Sequence, residues 1–482
     1  MNNFSSSSSR YYGILIPILV FFTALIVMFN CQSGTHTAYS ILLHELSAIK
    51  HKVPFPYLNT SGSRLASTAA AGSTTGISSP PPCISYNSTT RTIRVSCIFA
   101  RLSDINNIIH NNTVLSEESS DGIWLLNSNL VISKGATLYI NSTDTKWLKI
   151  VSNGMSSSPE NHIDVFGGLR LDSVKITSWN SSINSYSTIT NNNTSTRPYI
   201  KIEANATGTT DITNSEIAYL GSKYNPMRGS GTSGLEYFNG GDGSVLRGNN
   251  IHNNWYGVYI RGVGRMIIEN NDSHNNYNYG FDPHTGSHDI IIRHNEVHDN
   301  GGQGIICSLN CYNITFENNK VYHNADAGIM FSKNTSNSIA RNNIVYDEKH
   351  AGIFSSSGSH DNKIYNNTVL NGENGIYLKN YSSNNIVHDN TIIHPAAHGL
   401  YLNSNASGNT FYSNTIENAG HYAIYVQGSD PVNNTFKNNK LIINSSSSSL
   451  PSSELSLSNV IKIDDNNTDT HLINNTIISR KR

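Results

Sequence analysis

Between Tyr279 and His284 the chain reads Y-G-F-D-P-H, which puts a phenol, a carboxylate and an imidazole within six residues. On an extended strand alternate side chains share a face, so Asp282 and His284 project together. Pro283 between them fixes the backbone dihedral. An imidazole titrates near neutral pH and can take a proton, and a phenol can return one. The set suits general acid–base proton transfer. A lone D-P-H triplet serves equally well as a buried Asp–His pair closing a turn, so the reading depends on the elements that hold it.

Those elements are a repeat. Its unit is N-x-[IV]-[HYL], a few polar residues, then G-[IFLV]. The leading asparagine recurs at Asn249, Asn271, Asn295, Asn319, Asn343, Asn367, Asn390, Asn414 and Asn439, at spacings of 22 to 25. Glycine recurs at Gly257, Gly280, Gly304, Gly328, Gly352, Gly375 and Gly399. A fixed period of this length means stacked coils, and each coil reads as short strands and turns without helical periodicity. The expected fold is all-β, a right-handed parallel β-helix over residues 81–482, with the asparagines stacked in an internal hydrogen-bonded ladder.

The coils can be read as columns. Val258, Phe281, Ile305, Ile329, Ile353, Ile376, Leu400 and Ile424 are all apolar and point inward. Tyr259, Asp282, Ile306, Met330, Phe354, Tyr377, Tyr401 and Tyr425 then face out, beside Arg261, His284, Ser308, Ser332, Ser356, Lys379, Asn403 and Gln427. Arg261 is expected directly beneath His284. Exposed rings beside polar groups, one row per coil, suit a long chain of sugars better than a mere sheet covering.

The stretch from Tyr279 to about Phe331 resembles the catalytic region of the mannuronan (alginate) C5-epimerases, right-handed β-helix enzymes with a Y-G-[FI]-D-P-H motif. The likeness runs on through H-D-N-G at His298–Gly301 and F-E-N-N at Phe316–Asn319. It implies a base at His284, a proton donor at Tyr279 and an organising role for Asp282. Family members carry an Asp or Arg in the next coil, where this chain has Ser308 and Leu309. The cation for the substrate carboxylate is therefore sought in Arg261 first and Lys333 second. Tyr259, Ser308, Tyr377, Lys379, Tyr401 and Tyr425 are the further substrate-binding candidates. The implied reaction is C5-epimerisation of a uronate polymer. If the bond at carbon 4 breaks first, the same groups make a lyase. A non-catalytic carbohydrate-binding protein and a metal-handling β-helix protein are the other readings, the latter kept open by the 19 histidines. His252, His274, His298 and His323 follow the repeat and read as turn residues. A glycoside hydrolase needs two carboxylates at the groove, and the columns show only Asp282. No cofactor or metal is expected; calcium is allowed but not indicated, since only Gly240–Gly243 looks like a calcium repeat.

Composition sets the surroundings. Only 13% of residues are charged and the net charge is -1, which excludes an electrostatic footprint for nucleic acid. After a tail of residues 1–10, an apolar stretch over 11–30 reads as an uncleaved transmembrane anchor. Residues 31–80 read as a Ser/Thr/Gly/Pro-rich linker. The β-helix is thus expected outside the cytoplasm, on a membrane protein whose partner is an anionic polysaccharide. N-x-S/T acceptors such as Asn87, Asn141 and Asn205 agree with that setting. Cys83 and Cys97 are spaced for a disulfide, Cys307 and Cys311 read equally as a second pair or as buried thiols, and Cys31 is left over.

Overall fold

The computed structural model describes residues 82–480 apart from 153–159, 189–195, 224–231, 445–459 and 468. The tail, the anchor segment, the linker and Cys31 lie outside the described residues. Among the described residues no helix is long and apolar enough to cross a membrane.

Three parallel sheets run the length of the unit Pro80–Arg482, two of 15 strands and one of 13. Each coil after the first contributes one short strand to each sheet. The coil of the Y-G-F-D-P-H motif supplies Phe281–His284 to the first sheet, Ile291–Arg293 to the second and Glu296–His298 to the third. Apolar residues from all three sheets, such as Phe281, Ile292 and Val297, meet in one continuous core. Burying such side chains contributes roughly 1.5–3 kcal/mol each.

Asparagine makes the corners. Between the second and third sheets a single residue of each coil adopts left-handed backbone, as at Asn270, His294, Asn318 and Asn342, and Asn tolerates that conformation well. The next residue is the ladder asparagine. Nδ2 of Asn295 donates to Oδ1 of Asn319 at 3.0 Å and to the carbonyl of Ile268 at 3.0 Å, while Oδ1 of Asn319 also accepts the Asn295 backbone N–H at 3.1 Å. The same bonds link Asn249 through Asn439 and on to Asn475. The expected ladder therefore forms residue by residue. A second ladder, Asn276–Asn300–Asn324, runs at the next corner and ends on Glu348.

The column glycines serve close approach. A Cβ at Gly280 would meet Val297 at 2.5 Å and the Gly304 carbonyl at 2.6 Å. The first end is closed by an antiparallel pair, Ile84–Asn87 with Thr92–Val95, by the Cys83–Cys97 disulfide and by a helix, Leu102–Ile109. The sequence reading had no helix there. Cys307 and Cys311 are free and buried, which settles the open alternative for that pair.

His252, His274 and His298 are not simple turn residues. They end strands of the third sheet and stack with Tyr322 and Tyr346 at 4.7–5.0 Å; His323 alone is in a left-handed turn.

Candidate functional site

The register builds the site on the outer face of the first sheet. Tyr259 pairs with Asp282 and Arg261 with His284, so the guanidinium column lies beneath the imidazole as expected. On the other side His284 pairs with Ser308, and Ser308 with Ser332. Arg261 is exposed, with its guanidinium 5.1 Å over the Phe238 ring. Lys333, the residue after Ser332, is exposed in a left-handed turn. Burial lowers the pKa of His284, and the charges of Lys333 and Arg261 lower it further. Nδ1 of His284 is bonded to the Thr285 hydroxyl.

Asp282 faces out of the coil but does not reach solvent. It is 1% exposed, and its Oδ1 has no hydrogen-bond partner. Burial pushes its pKa well above the carboxylate range, with Lys333 opposing. Three phenols stand near enough to feel its charge. Tyr256 stands 5.5 Å from Tyr259 and 5.3 Å from Tyr279, and Tyr259 is 5.3 Å from His284. The pKa values of all three phenols are raised, first by burial and next by Asp282. The phenols therefore keep their protons through the neutral range.

Tyr256 escaped the sequence reading. Its signal was Y-G at Tyr256–Gly257, the same pair as Tyr279–Gly280 one coil later. The earlier coils were missed as well. The column of Asp282 continues back through Tyr259 to Glu236, Lys201 and Asp164. Two further carboxylates, Glu236 and Asp164, therefore share the outward column, contrary to the expectation that Asp282 stands alone. Lys201 lies 4.5 Å over the Phe238 ring and bonds Glu203 at 2.8 Å, so this half of the groove is charged.

The other half is paved. Phe354, Tyr377, Tyr401 and Tyr425 stack in order at 5.1, 4.3 and 5.3 Å. Tyr377 is only 5% exposed, because Phe354, Tyr401 and His350 pack around it. Ser308 is 4% exposed and is not a surface contact as it stands. The row expected as open rings is instead a second apolar cluster, with Ile306, Met330, Phe354 and Tyr377 buried. Tyr401 and Tyr425 remain half-buried, Tyr401 bonded to Gln427 and Asn403. Lys379 sits 5.2 Å over Phe354 and 5.4 Å over Tyr377. Among the described residues no three His, Cys, Asp or Glu side chains converge as a metal would need, so the metal-handling reading has no ligand set to rest on there.

The fold and this face define a parallel β-helix with a groove of titratable, cationic and aromatic side chains along one sheet. The family model for the right-handed β-helix region matches residues 174–344, 233–392 and 310–477, and the chain belongs to that family. No curated protein matches it in sequence. Among solved structures it is similar to the periplasmic alginate epimerase AlgG, at 18% identity and a TM-score of 0.63, over 80% of this chain and 85% of that one. Two point mutants of AlgG match over the same shares at 19% and 18% identity, both with a TM-score of 0.63. At this identity the likeness is one of fold.

Proposed function

We propose that the groove acts on a uronate polysaccharide, removing and returning the proton at carbon 5. The observation that carries this reading is a half-buried imidazole held neutral between two cations and set against phenols that keep their protons. Arg261 and Lys333 neutralise the substrate carboxylate, so that charge can flow into it when the proton leaves. His284 takes the proton, and Tyr279 or Tyr259 delivers another to the opposite face, inverting the centre. Asp282, buried and with its pKa raised, is a positioning residue beside the phenols. Its burial argues against hydrolysis, because a carboxyl 1% exposed does not flank a scissile bond. The similar structure of an alginate epimerase supports the substrate class.

The setting is extracytoplasmic, with residues 11–30 as the membrane anchor. The Cys83–Cys97 disulfide and the periplasmic location of the similar epimerase support the first part.

The test is incubation of the full chain with polymannuronate in deuterated water, read by proton NMR. Deuterium at carbon 5 with inversion is the expected result. An unsaturated chain end instead identifies β-elimination by the same residues. Neither signal, with polymer still bound, leaves a binding protein and overturns the proposal.

A further inference from the structure

Arg197 lies outside the groove and no step above uses it. It is 2% exposed. Its Nε donates to the carbonyl of Gly221 at 2.6 Å, one Nη to that of Asn253 at 2.9 Å, and the other Nη to that of Leu220 at 2.9 Å. A guanidinium has five N–H donors, so two remain beyond these three bonds. No carboxylate pairs with Arg197 among the described residues. Burial pulls its pKa down to about 9, the mark of a charge set in low dielectric without a counter-ion. Buried charges are ordinarily paired.

Beside it opens a cavity of about 210 Å³. Arg197, Tyr219, Tyr277, Asn253, Asn275 and Thr188 are among its lining. Among the described residues the lining carries no acid. It offers one cation, two rings and several amide and hydroxyl groups, a set that would hold an anionic, hydroxyl-rich ring. The cavity is smaller than the roughly 300–1,000 Å³ of drug-sized sites, so it has room for one unit and not for a polymer. Tyr277 is stacked on Trp255 at 4.6 Å, which ties the cavity wall to an indole.

We propose that this cavity is a second ligand site, taking a single carboxylated sugar unit, free or at a chain end, with its carboxylate on Arg197. The site does not depend on turnover in the groove, since none of the groove residues lines it.

The probe is glucuronate, titrated against the full-length protein by calorimetry and by Trp fluorescence, with glucose as the uncharged analogue and inorganic sulfate as a bare anion. Saturable glucuronate binding, at least about tenfold tighter than glucose or sulfate, is expected. Asn275→Asp puts a negative charge at the mouth on a residue whose left-handed backbone Asp also tolerates. It should weaken glucuronate about tenfold while leaving deuterium exchange in the groove unchanged. Tyr277→Ala should weaken it too, and His284→Ala should not. Tighter binding of a uronate oligosaccharide assigns the site to chain ends, and tighter binding of the monosaccharide assigns it to free sugar. Three results overturn the proposal: equal binding of glucose, equal binding of sulfate, or binding lost in His284→Ala but kept in Asn275→Asp.

Discussion

As the proposed base, His284 must be neutral to take a proton, and its surroundings favour that form. Burial and two cations hold its pKa below the ordinary 6.5. Its active form is therefore present at neutral pH and is lost as pH falls through the lowered value. The acid limb of kcat/KM should lie below pH 6.5. Lys333→Ala removes one of the causes and should move that limb upward toward 6.5 while raising KM; a limb that stays put removes Lys333 from the site. His284→Ala should cut deuterium exchange at carbon 5 by about 10²- to 10⁴-fold, with unchanged circular dichroism. Wild-type exchange in that variant would reduce the epimerase likeness to a shared scaffold. The stacking of Arg261 under His284 was readable from sequence, because a fixed period converts residue spacing into register. The burial of Asp282 was not, because an outward position in a column does not tell whether neighbouring side chains close over it.

At the scale of the strand and corner, the Asn ladder was legible because each coil repeats one donor–acceptor pair at one position. The early coils were not. Ile163 pairs with Ile200, 37 residues on, and Ile200 with Leu235, 35 on, so insertions hide the period that later runs at 22 to 25. Glu236 and Lys201 went unread for that reason. The second ladder ends on Glu348, which is 3% exposed and accepts both the backbone N–H and Nδ2 of Asn324. Burial raises its pKa from 4.5 to about 8. The unfolded chain gives up this proton first, so stability is greatest below pH 4.5 and falls as pH rises toward 8. A glutamine oxygen can accept the same two bonds, as Asn343 does for Asn319. Glu348→Gln should therefore melt at the same temperature as wild type near pH 4 and higher by about 2 °C or more near pH 9. A constant difference across that range would assign the effect to packing instead of the proton.

For the molecule as a whole, the groove is long and uneven. From the Asp164 strand to the Tyr425 strand the first sheet takes ten steps, about 48 Å at roughly 4.8 Å each. Charged groups occupy one half and stacked rings the other, with His284 between them. Tyr401 is five steps beyond His284, about 24 Å. A short oligomer bound at His284 does not reach it, whereas a polymer does. Tyr401→Ala should weaken polymer binding several-fold and leave turnover of a trimer nearly intact. Equal loss on both would show that the ring stack props up the sheet without touching substrate.

The stacking of coils also decides how the molecule yields to a pull. Each coil is bonded only to the one before and the one after, so tension applied at the last coil loads one seam at a time. The strands should peel in sequence instead of giving way together. Each coil of about 24 residues releases roughly 80 Å of chain at the ~3.3–3.6 Å per residue of an extended backbone. A force–extension trace should be a sawtooth of nearly equal teeth through the regular coils, with longer ones where insertions lengthen a turn. The last tooth should fall short, because the Cys83–Cys97 bond keeps the first hairpin closed after every other seam has parted.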